Sequence, residues 1–136
     1  MKTVETIYLG NLRTKALHVR SGNILMTDAP VDNKGKGEYF SPTDLVVTAL
    51  GSCLLTTIGI ANIKENLNVD IDDTTVTIKK IMADNPRRIG EIICEINIPK
   101  NDFTDLQKKQ IEVIARGCPV ARSLHPDLKQ TMIFNY

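Results

Sequence analysis

Hydrophobic and polar positions alternate along the first part of the chain, which is the pattern of β-strands rather than of helices. The alternation runs over residues 3–9 and 12–19 and returns in a shorter segment, 24–27. These segments are separated by Gly10-Asn11 and Ser21-Gly22-Asn23, which are typical turn sequences. The pattern therefore predicts a small antiparallel meander of three strands.

A polar segment follows the meander. Residues 28–40 are rich in Asp, Lys, Gly and Pro, a composition typical of a solvated loop or a mobile flap. The segment contains Gly35-Lys36-Gly37, but a phosphate-binding loop needs another glycine five residues before a Gly-Lys pair and a Ser or Thr directly after it. Neither is present, so we expect no nucleotide site here.

A long apolar helix is predicted next. Ser41 suits the N-cap, Pro42 suits the first helical position, and Asp44 falls where a capping box has its acidic residue. From Pro42 to about Lys64 the helix would be roughly 34 Å long. Residues 45–63 carry no formal charge and meet the length criterion for a membrane span, yet they include threonine, serine, glycine and asparagine and lack flanking aromatic anchors. We therefore expect a buried central helix.

The second half mixes strands and helices. Residues 69–82 and 89–99 have the pattern of paired strands around a turn at Asp84-Asn85-Pro86. Apolar spacing predicts a helix over 103–116, and Gly117 suits its C′ position. Residues 119–124 can form a short helix and 131–134 a last strand. This order predicts an α+β fold, with antiparallel sheets around the long central helix, in a single domain of residues 1–136.

Composition argues against several classes of function. The 136 residues carry a formal net charge of +1, and aromatic residues make up 4% with no Trp. Binding to nucleic acid calls for a basic surface or stacking aromatic side chains, so we expect no nucleic-acid partner. The polar residues within 45–63 and the lack of aromatic anchors beside them likewise predict no membrane span. The first residues contain no apolar run of signal-peptide length, and the three cysteines are an odd number. These features favour the reducing cytoplasm, where paired cysteines are more often catalytic than structural.

Cys118 lies in the sequence Ala-Arg-Gly-Cys-Pro-Val, between the end of one predicted helix and the start of the next. With Pro119 at a first helical position, Cys118 falls at or beside an N-cap. Unpaired backbone N–H groups there stabilise a thiolate, so the sequence predicts a lowered pKa for this thiol. The alternative is a small apolar residue that only fills a helix junction.

Cys53 lies in the middle of the long helix, directly after Gly51 and Ser52. A glycine inside a helix costs about 1 kcal/mol relative to alanine, which indicates that a second backbone or a substrate comes close to this surface. Burial alone would raise the pKa of the thiol, so an active Cys53 needs a cation or a hydrogen-bond donor beside it. The alternative is an inert core cysteine.

Other candidate groups are weaker. Cys94 alternates with isoleucines on one face of a strand, which predicts a core residue that takes no part in chemistry. Arg13 is the candidate cation, although Lys15 shares its strand face and a solvated basic edge is the alternative. The cysteines and the two histidines lack the spacing of zinc ligands, so we expect no metal.

Three short motifs together resemble the OsmC/Ohr superfamily of organic hydroperoxide reductases, and the order of elements agrees over nearly the whole chain. The proline of the first motif precedes the cysteine of the second by the eleven residues typical of that family. The motifs are Ser41-Pro42-Thr43-Asp44-Leu45, Ala49-Leu50-Gly51-Ser52-Cys53 and Gly117-Cys118-Pro119-Val120.

The resemblance implies an intertwined homodimer with two active sites at its interface. It also implies a thiol-dependent peroxidase in which Cys53 attacks an organic, lipid-like hydroperoxide and becomes a sulfenic acid. Cys118 would then resolve it as a disulfide, which an external dithiol, lipoyl-type or another thiol, reduces. No bound cofactor is implied.

The sequence departs from this family at one position. Members usually carry Glu directly after the helix-opening proline, where it pairs with an arginine that holds the thiolate. Here Thr43 stands at that position and Asp44 follows, turned by about 100° around the helix. Asp44 is the possible carboxylate partner and Arg13 the corresponding stabiliser of thiolate and peroxide. Thr43 also favours an alternative, a redox-sensing or small-molecule-binding module with weak or no peroxidase activity.

Overall fold

The computed structural model describes residues 1–100 and 102–136. The chain divides into two compact units, Met1–Val46 and Val47–Tyr136.

The first unit is built on a three-stranded antiparallel sheet. Its strands are β1 (Val4–Gly10), β2 (Arg13–His18) and β3 (Ile24–Asp28), paired in the order β1-β2-β3. Between β1 and β2 the backbone is left-handed at three successive residues: Gly10, Asn11 and Leu12. The predicted meander is confirmed.

The loop after β3 is anchored at both ends by backbone hydrogen bonds. Asp28 donates its N–H to the carbonyl of Phe40 at 3.1 Å, and Ala29 donates to Leu12 at 3.0 Å. The loop contains a short 3-10 turn at Val31–Asn33. The segment predicted as a flap is therefore closed at its base within the first unit.

Helix α1 (Pro42–Glu65) begins as the sequence predicts. The Ser41 N–H donates to Asp44 Oδ2 at 2.9 Å and the Asp44 N–H donates to Ser41 Oγ at 3.1 Å, which is a reciprocal capping box. The helix has a mean hydropathy of 1.8 over its most apolar window, but length and composition alone are weak grounds for a membrane span. One face enters the core of the second unit with the spacing of successive helical turns: Val47, Leu50, Gly51, Leu54, Ile58 and Ala61.

The second unit contains a sheet of β4 (Thr75–Ala83), β5 (Arg88–Asn97) and β6 (Lys129–Asn135), in that order. β4 and β5 form an antiparallel pair, but β6 runs parallel to β5, so the prediction of antiparallel sheets does not hold for this strand. The parallel pairing needs a long crossover, which is supplied by α2 (Asp105–Arg116) and α3 (Pro119–Ser123).

The core of the second unit joins one face of β5 to the buried faces of α1 and α2. β5 contributes Ile92, Cys94 and Ile96, all fully buried, as the alternation of that strand predicts. A Cβ on Gly51 would lie 2.6 Å from Cδ1 of Ile78 on β4. The mid-helix glycine therefore makes room for a strand side chain rather than for a second backbone.

Two local predictions need correction. Residues 69–74 precede β4 instead of belonging to it, and Asp73 has a left-handed φ of 63°, which an extended strand does not tolerate. Gly117 ends α2 as a C-cap with φ of −95°, so it does not use the left-handed conformation expected at C′.

Candidate active site

Two of the three cysteines meet inside the second unit. The Cys118 thiol, at the start of α3, lies close enough to Cys53, on α1, to act as a hydrogen-bond donor that lowers the pKa of Cys53. Cys53 is half-buried and Cys118 is fully buried. All three cysteines are free thiols. The sequence-predicted pair is thus in contact, in reduced form.

Hydrogen-bond donors surround the sulfur of Cys53. Thr57, one helical turn further along α1, places its Oγ1 3.8 Å from the sulfur. Burial by itself would raise the pKa of the Cys53 thiol, but these donors outweigh it and hold the pKa below the ordinary cysteine value. They are the backbone N–H of Val120, the Cys118 thiol and the Thr57 hydroxyl. The donor that an active Cys53 requires is therefore present without a cation.

Cys118 occupies the N-cap of α3, in extended backbone with φ of −63° and ψ of 150°. Its sulfur accepts the N–H of Ala121 at 3.4 Å. The prediction of a lowered pKa is nevertheless wrong, because burial, reinforced by the proximity of Cys53, raises the pKa of the Cys118 thiol. The two thiols are unequal: Cys53 ionises first and Cys118 keeps its proton.

Side chains fix the start of α3 from both sides. Arg122 donates from Nε to the carbonyl of Gly117 at 2.8 Å, and Gln130 donates to the carbonyl of Ala121 at 2.9 Å. A Cβ on Gly117 would lie 3.1 Å from Nη2 of Arg122. The segment that supplies two backbone donors to the two sulfurs is consequently held in place by its own side chains and by β6.

Cys94 lies fully buried on β5. Burial, together with the negative charge of a Cys118 thiolate, raises its pKa to about 11. We expect iodoacetamide at pH 7 to spare Cys94 in the folded protein, and Cys94→Ser to retain the reactivity of the other two thiols. Peptide mass mapping after alkylation checks this, and rapid native labelling of Cys94 would contradict it.

Arg13 forms an ion-pair cluster within the first unit. Its Nε and Nη2 donate to the two carboxylate oxygens of Asp28 at 2.7 and 2.9 Å, and Nη2 also donates to Glu38 at 3.2 Å. The guanidinium lies 4.7 Å from the centre of the Tyr39 ring. The hydrogen bonds to Arg13 hold the pKa of the buried Asp28 carboxyl below its usual value.

Sequence reasoning proposed Asp44 as the carboxylate for Arg13 and missed Asp28. The carboxylate of Asp44 accepts the N–H of Ser41 in the capping box. The pairing of β2 with β3 places Arg13 directly opposite Asp28. Both strands were predicted, so their register was the feature that could have identified Asp28 as the partner of Arg13. Among residues 1–100 and 102–136, no three His, Cys, Asp or Glu side chains are grouped as metal ligands.

Fold and site together define a two-sheet α+β protein that has a pair of neighbouring thiols. One lies on the central helix, the other lies at the start of a short helix, and their pKa values are shifted in opposite directions. The profile described as OsmC-like protein matches residues 35–132, which is most of the chain. The chain therefore belongs to the OsmC-like family, as the motifs around Cys53 and Cys118 indicate.

Solved structures agree with this assignment. A protein from Psychrobacter arcticus, provisionally described as an osmotic stress induced and detoxification response protein, is 46% identical with a TM-score of 0.92, over 99% of this chain and 96% of that one. An organic hydroperoxide resistance protein OsmC from Legionella pneumophila has a TM-score of 0.76 at 13% identity, over 100% of this chain and 98% of that one, and shows likeness of fold. No curated protein matches the sequence.

Proposed function

We propose that the protein is a thiol-dependent peroxidase that reduces organic, lipid-like hydroperoxides to alcohols. The observation that carries the proposal is the hydrogen-bonded pair of Cys53 and Cys118, in which the pKa of the first thiol is lowered and that of the second is raised. A thiolate is the nucleophilic form of cysteine, and a neighbouring thiol is what traps its oxidised product.

Cys53 performs the first step. Its thiolate attacks the distal oxygen of the hydroperoxide, an S–O bond forms with the sulfur electron pair, and the O–O bond breaks. The alkoxide leaves with the O–O electron pair and takes up a proton to become the alcohol. Sulfur is oxidised by two electrons to the sulfenic acid and the peroxide is reduced by two.

Cys118 performs the second step. Its sulfur attacks the Cys53 sulfur, the S–O bond breaks, and the departing hydroxide combines with the thiol proton as water. An external dithiol then reduces the disulfide through a mixed disulfide, so that no bound cofactor is required. Because the raised pKa of Cys118 keeps it protonated, it stays a hydrogen-bond donor to Cys53 until the sulfenic acid forms.

From the family resemblance we also propose roles for Arg13 and Asp44. Arg13 would stabilise the thiolate and the peroxide, with Asp28 as the carboxylate that orients its guanidinium. Asp44 would act through the capping box that fixes the start of α1. A cytoplasmic location fits a site that depends on reduced thiols.

An intertwined homodimer is part of the proposal. Along α1, Ala49, Ser52, Thr56, Gly59 and Ile63 follow one another at spacings of three and four residues. All but Gly59 are exposed in the single chain, and a Cβ on Gly59 would touch nothing within 4 Å. The first four of these residues are small enough to allow close approach of a second helix, and Ile63 adds an exposed apolar side chain. The α1 of a second copy supplies that helix. We expect the active sites at this interface.

The proposed activity is tested by oxidising the reduced protein. One equivalent of cumene hydroperoxide should remove two thiols per chain rapidly, while the intact mass falls by two hydrogen atoms as the Cys53–Cys118 disulfide forms. The Cys94→Ser variant, which lacks the third thiol, should also lose two. Thiols that persist for hours under excess peroxide would exclude the peroxidase.

A second candidate is a redox-sensing or small-molecule-binding module with weak turnover. It is favoured by the two carboxylates on Arg13, since Asp28 and Glu38 together outweigh the positive charge of one guanidinium. A net negative cluster stabilises a thiolate less well than a free arginine does. Such a protein would form the disulfide once and show no sustained peroxide consumption with an added dithiol.

A further inference from the structure

Two adjacent threonines on α1 use their hydroxyl groups differently. The Thr56 hydroxyl is exposed and donates to the backbone carbonyls of Ser52 and Cys53, at 3.1 and 3.2 Å. This is the common use of a helical threonine, whose hydroxyl bonds to the carbonyl three or four residues earlier. The Thr57 hydroxyl is half-buried and contacts the side-chain sulfur of Cys53 at 3.8 Å instead.

We propose that Thr57 is a further active-site residue, whose hydroxyl donates a hydrogen bond to the Cys53 thiolate and thereby sets its reactivity. The inference rests on the proposed function only in naming Cys53 as the nucleophile. It assigns the role to a side chain outside the motifs that identify the family.

Ionisation fixes the direction of this hydrogen bond. While Cys53 is a thiol, either the sulfur or the Thr57 oxygen can donate. Once the sulfur has lost its proton, only the hydroxyl can donate, so the contact stabilises the charged form more than the neutral one. The direction agrees with the lowered pKa of Cys53, to which Thr57 contributes.

Thr57 also differs from the other two donors to Cys53. Val120 donates through its backbone N–H, and Cys118 is the titratable group that faces Cys53 from α3. The Cys118 thiol is consumed when the disulfide forms, so its hydrogen bond lasts only until resolution. The Thr57 hydroxyl takes part in no bond change and is available again for each new thiolate.

The experiment measures the reactivity of Cys53 without peroxide. The rate at which iodoacetamide labels Cys53 is followed by peptide mass mapping from pH 5 to pH 10. Thr57→Val keeps the shape and β-branching of threonine but removes the hydroxyl. We expect its rate at pH 7 to fall about three- to tenfold and the midpoint of its pH profile to rise by about half to one pH unit. The high-pH plateau should be unchanged.

Two matched variants complete the test. Thr57→Ser restores the hydroxyl and should return the midpoint to that of the wild type, whereas Thr56→Val removes the neighbouring hydroxyl and should leave it unmoved. Equal profiles for wild type and Thr57→Val, or equal shifts in Thr57→Val and Thr56→Val, would overturn the proposal. Because the readout is alkylation, a protein without peroxidase activity could still show the Thr57 effect, and an active peroxidase could lack it.

Discussion

Cys53→Ser is expected to abolish the peroxide-dependent loss of thiols, slowing it by at least about 10³-fold. A serine hydroxyl stays protonated at neutral pH, and the donors around position 53 cannot make it a comparable nucleophile. Neither remaining cysteine can replace it, since Cys118 is fully buried with a raised pKa and the pKa of Cys94 is about 11. Titration of free thiols after mixing with cumene hydroperoxide measures the effect.

The matched control is Cys94→Ser, which makes the same chemical change at the cysteine that lies outside the hydrogen-bonded pair. It should lose its two remaining thiols at the wild-type rate. If Cys53→Ser lost two thiols as fast as the wild type, the reacting pair would be Cys94 and Cys118. The assignment of the nucleophile to α1 would then be wrong.

Most elements of the fold could be predicted from local sequence. The capping box at Ser41 and Asp44 fixes the start of α1, and the alternation in residues 3–27 gives the meander. The parallel pairing of β6 with β5 was missed because strand direction depends on the path of the chain between the strands. The signal was the pair of helices between them, since parallel neighbours need a crossover of a dozen or more residues.

The candidate site, like the fold, could be predicted from the sequence only in part. The identities of Cys53 and Cys118 follow from motifs, but the relative acidity of the two thiols does not, because it depends on burial and on how backbone donors are shared. In the structure the N–H of Val120 acts on both sulfurs, and the N–H of Ala121 donates to Cys118. A rule based on a helix start alone gives Cys118 the lower pKa, whereas complete burial reverses the order.

The carboxylate partner of Arg13 shows what a family pattern leaves unspecified. The resemblance places that carboxylate at the start of the long helix, where Thr43 and Asp44 stand. In this chain the neighbouring strand supplies it, through Asp28 in register with Arg13. The family pattern specifies a carboxylate at the start of the helix. The pairing of β2 with β3 determines that the Arg13 guanidinium binds Asp28.

The hydrogen bonds of Cys118 make its serine variant informative, because a hydroxyl can preserve them. Serine at position 118 can still accept the N–H of Ala121, and it is a good N-cap residue. It can also donate to Cys53 in place of the thiol. The start of α3 and the lowered pKa of Cys53 should therefore survive the substitution, while the sulfur that forms the disulfide is lost.

Cys118→Ser is accordingly expected to separate the two halves of the cycle. Cys53 should still be oxidised at close to the wild-type rate. Dimedone should trap the resulting sulfenic acid as an adduct that is detected in the intact mass. Turnover with a dithiol should fall at least about 100-fold. Without Cys118, the Cys53 sulfenic acid has to react with a thiol that diffuses in from solution. Undiminished turnover would mean that the external thiol reduces the sulfenic acid directly, which would leave Cys118 the role of a hydrogen-bond donor to Cys53.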